Sequence, residues 1–205
     1  SDIRTLFYAT KDMNGLSAFQ GIAKLVSFRK KELFKDRDNV TSGTGYYSAD
    51  KKNNPLRECR SIDPNYTRNE FGTDIFVLGF KKSEDWRAEI INSILEDFLI
   101  AIFNKDLVVI IDGIEINAEN LGRIVNQYKS TAPIAYNYYQ VLTDNKTEKI
   151  EHNFNGLGSI ELYILINKGL HRKVMMCRKN GMKIFDKANI SGTIQFAGIC
   201  ILKDD

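Results

Sequence analysis

Apolar and polar positions along this chain change period several times, and each change marks an expected element. Ile3, Leu6, Phe7, Tyr8 and Ala9 give residues 3–10 the look of a strand. Asp12-Met13-Asn14-Gly15 is a turn signal, and residues 16–28 follow as a second strand with a bend at Gly21, so a hairpin is expected. From residue 29 to 69 no clean period emerges, and an irregular stretch of that length in a compact domain usually carries function. Phe71-Gly72-Thr73-Asp74 then leads into an apolar strand over residues 75–80.

The clearest element is a helix over residues 83–103. Trp86, Ile90, Ile94, Phe98 and Ile102 recur every fourth residue, and Ile91, Leu95, Leu99 and Phe103 fill the adjoining row. The stripe is wide, which predicts packing on more than one side. Ser83 is the expected N-cap, Glu84 and Asp85 suit the positive end of the helix dipole, and Asn104-Lys105-Asp106 ends the run.

Beyond it, residues 107–111 read as a strand returning through Asp112-Gly113 to Ile114 and Ile116. Asn117 is placed to cap a short helix carrying Leu121, Ile124, Val125 and Tyr128. Residues 130–137, with Pro133, are expected to be a connection, and residues 138–142 a short strand. Gly156 and Gly158 break the chain before a strand over 160–166. Residues 174–178 and 182–185 flank the hairpin signal Asn180-Gly181, and residues 195–202 form the last strand. The expected domain boundary lies near Lys105, with the long helix bridging two halves. Apolar strands lie almost at both termini, which suggests that the chain is cut from a longer protein.

Composition narrows the class. The chain has 205 residues, 43% hydrophobic and 27% charged, as a globular protein has. No run of about eighteen apolar residues predicts a membrane span, and no basic segment followed by an apolar one opens the chain. Cys59, Cys177 and Cys200 are odd in number and widely spaced, and His152 and His171 are far apart. Neither a disulfide framework nor a metal site is expected, and a reducing, cytoplasmic setting fits best. The formal net charge is only +3. A basic cluster nevertheless runs through Arg29, Lys30, Lys31, Lys35 and Arg37 and on to Lys51, Lys52, Arg57, Arg60 and Arg68. It reads either as a solvated loop or as a surface that contacts a phosphate backbone.

Several sources of chemistry are missing from the sequence. It has no G-x-x-x-x-G-K-[ST] phosphate loop and no G-x-S-x-G elbow, so no catalytic residue is assigned. Gly43-Thr44-Gly45 reads as half of a glycine phosphate loop or as a plain turn. Gly72-Thr73-Asp74-Ile75 offers a glycine for close backbone approach and a hydroxyl that both donates and accepts, unless Thr73 merely opens a strand.

In order, these segments resemble the back half of a GHKL (gyrase, chaperone, histidine kinase, MutL) ATPase module. Phe71-Gly72-Thr73-Asp74-Ile75-Phe76-Val77 is similar to the "G-T" box on the last strand of that nucleotide-binding fold. Residues 1–10 resemble the segment after its ATP lid, and the helix from Ser83 the connector to a transducer domain. Arg178-Lys179-Asn180-Gly181-Met182-Lys183-Ile184 resembles the hairpin of MutL- and MORC-type transducers, with Met182 where an arginine usually stands. The nearest likeness is to a bacterial group of GHKL-type ATP-binding proteins.

The resemblance implies an α/β fold of α+β two-layer type. A partial Bergerat-type sheet over residues 1–82 and a connector helix over 83–105 would precede a ribosomal-protein-like βαβ transducer domain over 106–205. Gly72 and Thr73 would help seat adenine. The family's magnesium-holding asparagine, catalytic glutamate, D-x-G-x-G motif and glycine-rich lid would lie upstream of Ser1. ATP and magnesium would therefore bind the intact protein, and this chain alone would hold neither tightly. The family's transducer lysine would lie beyond Asp205, with Lys179, Lys183 and Lys203 as fallback candidates. The implied partners are the missing N-terminal half, a second copy of the protein, and DNA through the basic loop. The competing expectation is a non-enzymatic scaffold whose basic loop contacts nucleic acid or an acidic partner.

Overall fold

The computed structural model describes residues 4–28, 40–57, 68–155 and 158–203. The chain divides into two compact units, Ser1–Ser83 and Glu84–Asp205. The division falls upstream of Lys105, and the helical residues after it belong to the second unit.

The first unit is a four-stranded antiparallel sheet. β1 (Arg4–Lys11) and β2 (Ser17–Lys24) form the expected hairpin. The Asp12 carboxylate closes the turn by accepting from the Asn14 and Leu16 amides. β2 stops at Lys24 and runs straight through Gly21, whose missing side chain makes room for the Phe7 ring. β3 (Thr44–Tyr47) and β4 (Gly72–Leu78) complete the order β3-β2-β1-β4. Gly43-Thr44-Gly45 therefore leads into a strand and is neither a turn nor a phosphate loop; the Gly43 carbonyl accepts from the Leu25 amide.

Alternation along the strands gives this sheet two unlike faces. On one, Phe7, Ala9 and Phe19 form a small core with Leu56, Phe76 and Leu78 packed against it. Phe7 stacks on Phe19 at 5.7 Å, and Tyr47 meets both rings edge-on. The other face carries Leu6, Tyr8, Ile22, Ile75 and Val77, with Ile75 60% and Val77 48% exposed.

The second unit holds the larger core. α1 (Trp86–Asp97) and α2 (Leu99–Phe103) replace the single helix read from the sequence, with Asp85 and not Ser83 at the N-cap. The break lies at Phe98, whose backbone leaves helical geometry (φ −125°, ψ 10°). No proline or glycine causes it. Leu99, Ile100, Ala101 and Ile102 are all buried in succession, and a straight helix with one packed stripe would leave part of that run in water. Helix continuity yields to burial.

β5 (Val109–Ile111) and β6 (Ile114–Ile116) pair across Asp112-Gly113, both at positive φ, as the hairpin signal predicted. The Arg87 guanidinium pairs with the Asp112 carboxylate and ties α1 to this turn. α3 (Leu121–Gln127) begins after Asn120, not Asn117; the two asparagines exchange amide-to-carboxamide bonds just before it. α4 (Pro133–Thr143) overturns two expectations, the connection over 130–137 and the strand over 138–142. Pro133 sits in the first turn, where its missing N–H costs nothing, and Ala135, Tyr138 and Val141 bury one helical face.

The remaining strands are β7 (Glu148–Phe154), β8 (Gly158–Ile166), β9 (Lys173–Cys177), β10 (Lys183–Lys187) and β11 (Phe196–Leu202). They form one sheet in the order β10-β9-β11-β8-β7, and β7 was not read from the sequence. The parallel pair β9–β11 is joined through β10 and a loop, not through a helix as a βαβ unit would have it. Gly181 (φ +78°) turns the β9–β10 hairpin so close to Ala101 that a Cβ there would lie 2.6 Å from its backbone nitrogen. Leu165, Met175, Cys177, Ala197, Ile199 and Ile201 point from the sheet into the core formed with the helices. The observed class is thus mixed α+β with sheets dominating. Among the described residues no helix is long and apolar enough to cross a membrane.

Candidate functional site

Gly72 and Thr73 open β4 at the edge of the first sheet, opposite Lys11 and Thr10 of β1. Gly72 has φ +129°, and the Arg68 guanidinium lies against its Cα where a side chain would project. Arg68 donates to the Asp74 carboxylate at 2.5 Å and to the Phe71 carbonyl at 2.7 Å. Lys11 Nζ donates to the Asn69 carbonyl at 3.0 Å. These bonds pin the entry to β4. They also take Arg68 out of the basic cluster, since its guanidinium is already paired. Of the other residues in that cluster, 29–39 and 58–67 lie outside the described residues.

Thr73 points to the open face. Its Oγ1 lies 2.8 Å from Thr10 Oγ1, and Thr10 Oγ1 lies 3.1 Å from the Gly72 carbonyl. A hydroxyl has one proton to give. With the Thr10 proton on the Gly72 carbonyl, the Thr73 proton goes to Thr10, and Thr73 Oγ1 keeps its lone pairs for an outside donor. Thr73 is then an acceptor, suited to an N–H group.

A hollow of about 370 Å³ lies on the same unit and is lined by Arg4, Thr5, Leu6, Tyr8, Ile22, Lys24 and Val77. Leu6 faces Val77 and Ile22 in register, and Tyr8 faces Ile75, so the apolar lining belongs to the open face that carries Thr73. Four residues separate Thr73 from Val77, roughly 13 Å along the strand. Arg4 and Lys24 are register partners and put two cations at the far end. The hollow was not read from the sequence. The available signal was β1 itself, in which Leu6, Phe7, Tyr8 and Ala9 are apolar on both faces.

The second unit gathers its own polar groups. The Tyr138 hydroxyl donates to Asp186 Oδ1 at 2.8 Å, and Lys183 Nζ pairs with Asp186 Oδ2 at 2.8 Å and with Asp97 at 3.7 Å. His171 stands edge-on to Tyr138 at 4.8 Å, with both ring nitrogens buried and without a hydrogen-bond partner among the described residues. Burial above all, and then Lys173, lowers its pKa to about 4, with Lys183 adding and Asp186 opposing. Burial pushes the Cys177 thiol up to about 12, which keeps it an unreactive thiol. Tyr138 is fully buried. The cluster therefore fastens α4 to the sheet and is not placed to meet a ligand.

Of the three fallback lysines, Lys183 is committed to that cluster, whereas Lys179 and Lys203 line a separate hollow of about 280 Å³ with Phe103, Glu161 and Tyr163. Burial raises the Glu161 carboxyl, but bonds from Lys203, Lys149 and the Tyr163 hydroxyl outweigh it and hold the pKa at about 2. Among the described residues no group of three or more His, Cys, Asp or Glu side chains gathers as a metal ligand set. Comparison of the chain with protein-family models, curated proteins and solved structures finds no match.

Proposed function

We propose that this chain is part of a GHKL-type ATP-binding protein, and that the open face of its first sheet is one wall of the nucleotide site. In this reading the first unit is the closing portion of a Bergerat-type sheet. The second unit is a transducer-like domain, built without a βαβ crossover among its described strands. The observation that supports it is the placement of the Thr73 hydroxyl, as an outward acceptor, on the same face as the apolar hollow. An exocyclic amine of a purine is the donor such an oxygen takes, and Leu6, Tyr8, Ile22 and Val77 offer the base and sugar an apolar bed.

Gly72 lets the backbone turn sharply into β4 and so sets the direction of Thr73. Magnesium enters only with the nucleotide, and no step is assigned to it on this chain, whose described residues hold no ligand set. Nucleotide-driven closure would be passed to the second unit, where α1 and α2 are embedded in the core. The break at Phe98 means that a single stiff rod over 83–103 is not the transmitting element.

The test is a titration of magnesium-ATP, or a fluorescent analogue, into the intact protein, this 205-residue chain and a Thr73→Ala variant of the intact protein. The intact protein is expected to bind. Thr73→Ala should weaken binding about fivefold to tenfold, the worth of one hydrogen bond, with its melting temperature unchanged. Equal affinity of Thr73→Ala and wild type removes Thr73 from the site. Binding by neither protein moves the function to a scaffold, in which the basic loop contacts nucleic acid with a steep salt dependence.

A further inference from the structure

The four- and five-stranded sheets end in four edge strands among the described residues, and three of them are blunted. β3 is only four residues long. β4 begins at a positive-φ glycine and has its one carboxylate, Asp74, bound to Arg68. β10 carries a register shift between Lys183 and Phe185, which twists an edge out of line for pairing. β7 differs from all three. It runs seven residues in unbroken register with β8, is exposed at every position, and has no strand on its outer side among the described residues.

Its charges are arranged oddly for an isolated edge. Glu151 faces Glu161 directly across the β7–β8 pair. Like charges in that relation are unfavourable. Lys149 partly relieves them, lying 2.7 Å from Glu151 and 2.9 Å from Glu161. Glu161 has Lys203 as a further partner at 2.9 Å, whereas Glu151 remains exposed on the outer side.

From this arrangement we infer that β7 is a docking edge for a second copy of this chain, which adds its own β7 antiparallel about a two-fold axis through Ile150. In that register Lys149 stands opposite Glu151 of the second copy, Glu148 opposite His152, and Ile150 opposite Ile150. The row across four strands then reads Glu161, Glu151, Lys149 and Tyr163, the last two from the second copy, and each Glu151 gains a cation on its open side. Unpaired backbone groups of both edges are satisfied together, and the two five-stranded sheets become one. Shifting the axis by one residue places Glu151 against Glu151, so charge selects the register. This inference stands apart from the nucleotide reading, since β7 belongs to the other unit.

The test is sedimentation equilibrium of the full chain over a range of concentrations, with charge reversals in β7. Wild type is expected to dimerise. Lys149→Glu and Glu151→Lys each create two like-charge contacts by symmetry and should weaken the dimer at least about tenfold. An equimolar mixture of the two variants should form a heterodimer, because each Glu then meets a Lys. Circular dichroism of each variant separates lost association from lost folding. A wild type that stays monomeric at every concentration overturns the proposal. So do a dimer that neither reversal weakens, and well-folded variants whose mixture fails to associate.

Discussion

The two units bury very different amounts of apolar surface. In the second, twenty-one described residues fuse into one core, drawn from four helices and both of its sheets. In the first, three buried residues on one sheet face make the core, while the opposite face shows Ile75 and Val77 to solvent. One unit spends its apolar residues on itself. The other keeps apolar residues on a surface beside a hydroxyl acceptor and two cations. On the proposed reading that surface is the ligand wall, since an exposed apolar patch is a common mark of an interaction site.

The sharpest way to break this contrast is to remove a side chain from the larger core. Leu95 is fully buried between α1 and its neighbours. Leu95→Ala should cost about 2–5 kcal/mol in chemical denaturation, and hydrogen exchange should show protection lost in α1, α4 and β11. A loss below about 1 kcal/mol would mean that the core is loosely packed.

Next in size is Gly181→Ala. Positive φ and the Ala101 backbone both oppose the new methyl, so a destabilisation of about 1–3 kcal/mol is expected from thermal melting. Gly192, also at positive φ but with nothing near its missing Cβ, is the control; its alanine variant bears the backbone strain alone and should lose less.

A third prediction concerns pH. His171 has a folded pKa of about 4 against an ordinary 6.5, through burial, Lys173 and Lys183, with Asp186 opposing and Tyr138 packed on the ring. Between these values the unfolded chain binds the proton and the folded chain does not. Stability is therefore lost as pH falls through that window. His171→Phe keeps a ring against Tyr138 and removes the titration, so its melting temperature should fall less steeply than that of wild type over the same range. Identical slopes would show that His171 is solvated.

Much of the strand pattern was legible because turns carry strong local chemistry: Asp12 to Gly15, Asp112-Gly113 and Asn180-Gly181 all sit where expected. The failures share a cause. Residues 130–137 look like a connection in sequence although Pro133 starts α4, and 138–142 look like a strand although their apolar residues follow a helical period from Ala135. The period at Phe98 ran on through a break that only the burial of Leu99 to Ile102 explains. β7 has the sequence Glu-Lys-Ile-Glu-His-Asn-Phe and is exposed throughout, so no buried face gave it a pattern. At the candidate site, Gly72 and Thr73 were visible as residue types. Thr10, sixty-three positions away from Thr73, could be found only through the β1–β4 register.

The smallest expected effect on stability is the one that tests the open face most directly. Ile75 and Phe76 are neighbours on β4 with opposite directions: Ile75 stands beside Thr73 on the open face, and Phe76 packs against the Phe7, Ala9 and Phe19 core. Phe76→Lys should disrupt the first unit, because a charge would enter the one buried apolar cluster among its described residues. Ile75→Lys, at 60% exposure, should change unfolding stability by no more than about 0.5 kcal/mol. The same change puts an ammonium group where a base is expected to lie, so nucleotide affinity in the intact protein should fall while the melting curve stays in place. If Ile75→Lys instead melts the unit as Phe76→Lys does, the face is packed in the native protein and is no ligand wall. If it alters neither melting nor binding, the nucleotide lies elsewhere, and the contrast between the two units reduces to a difference in core size.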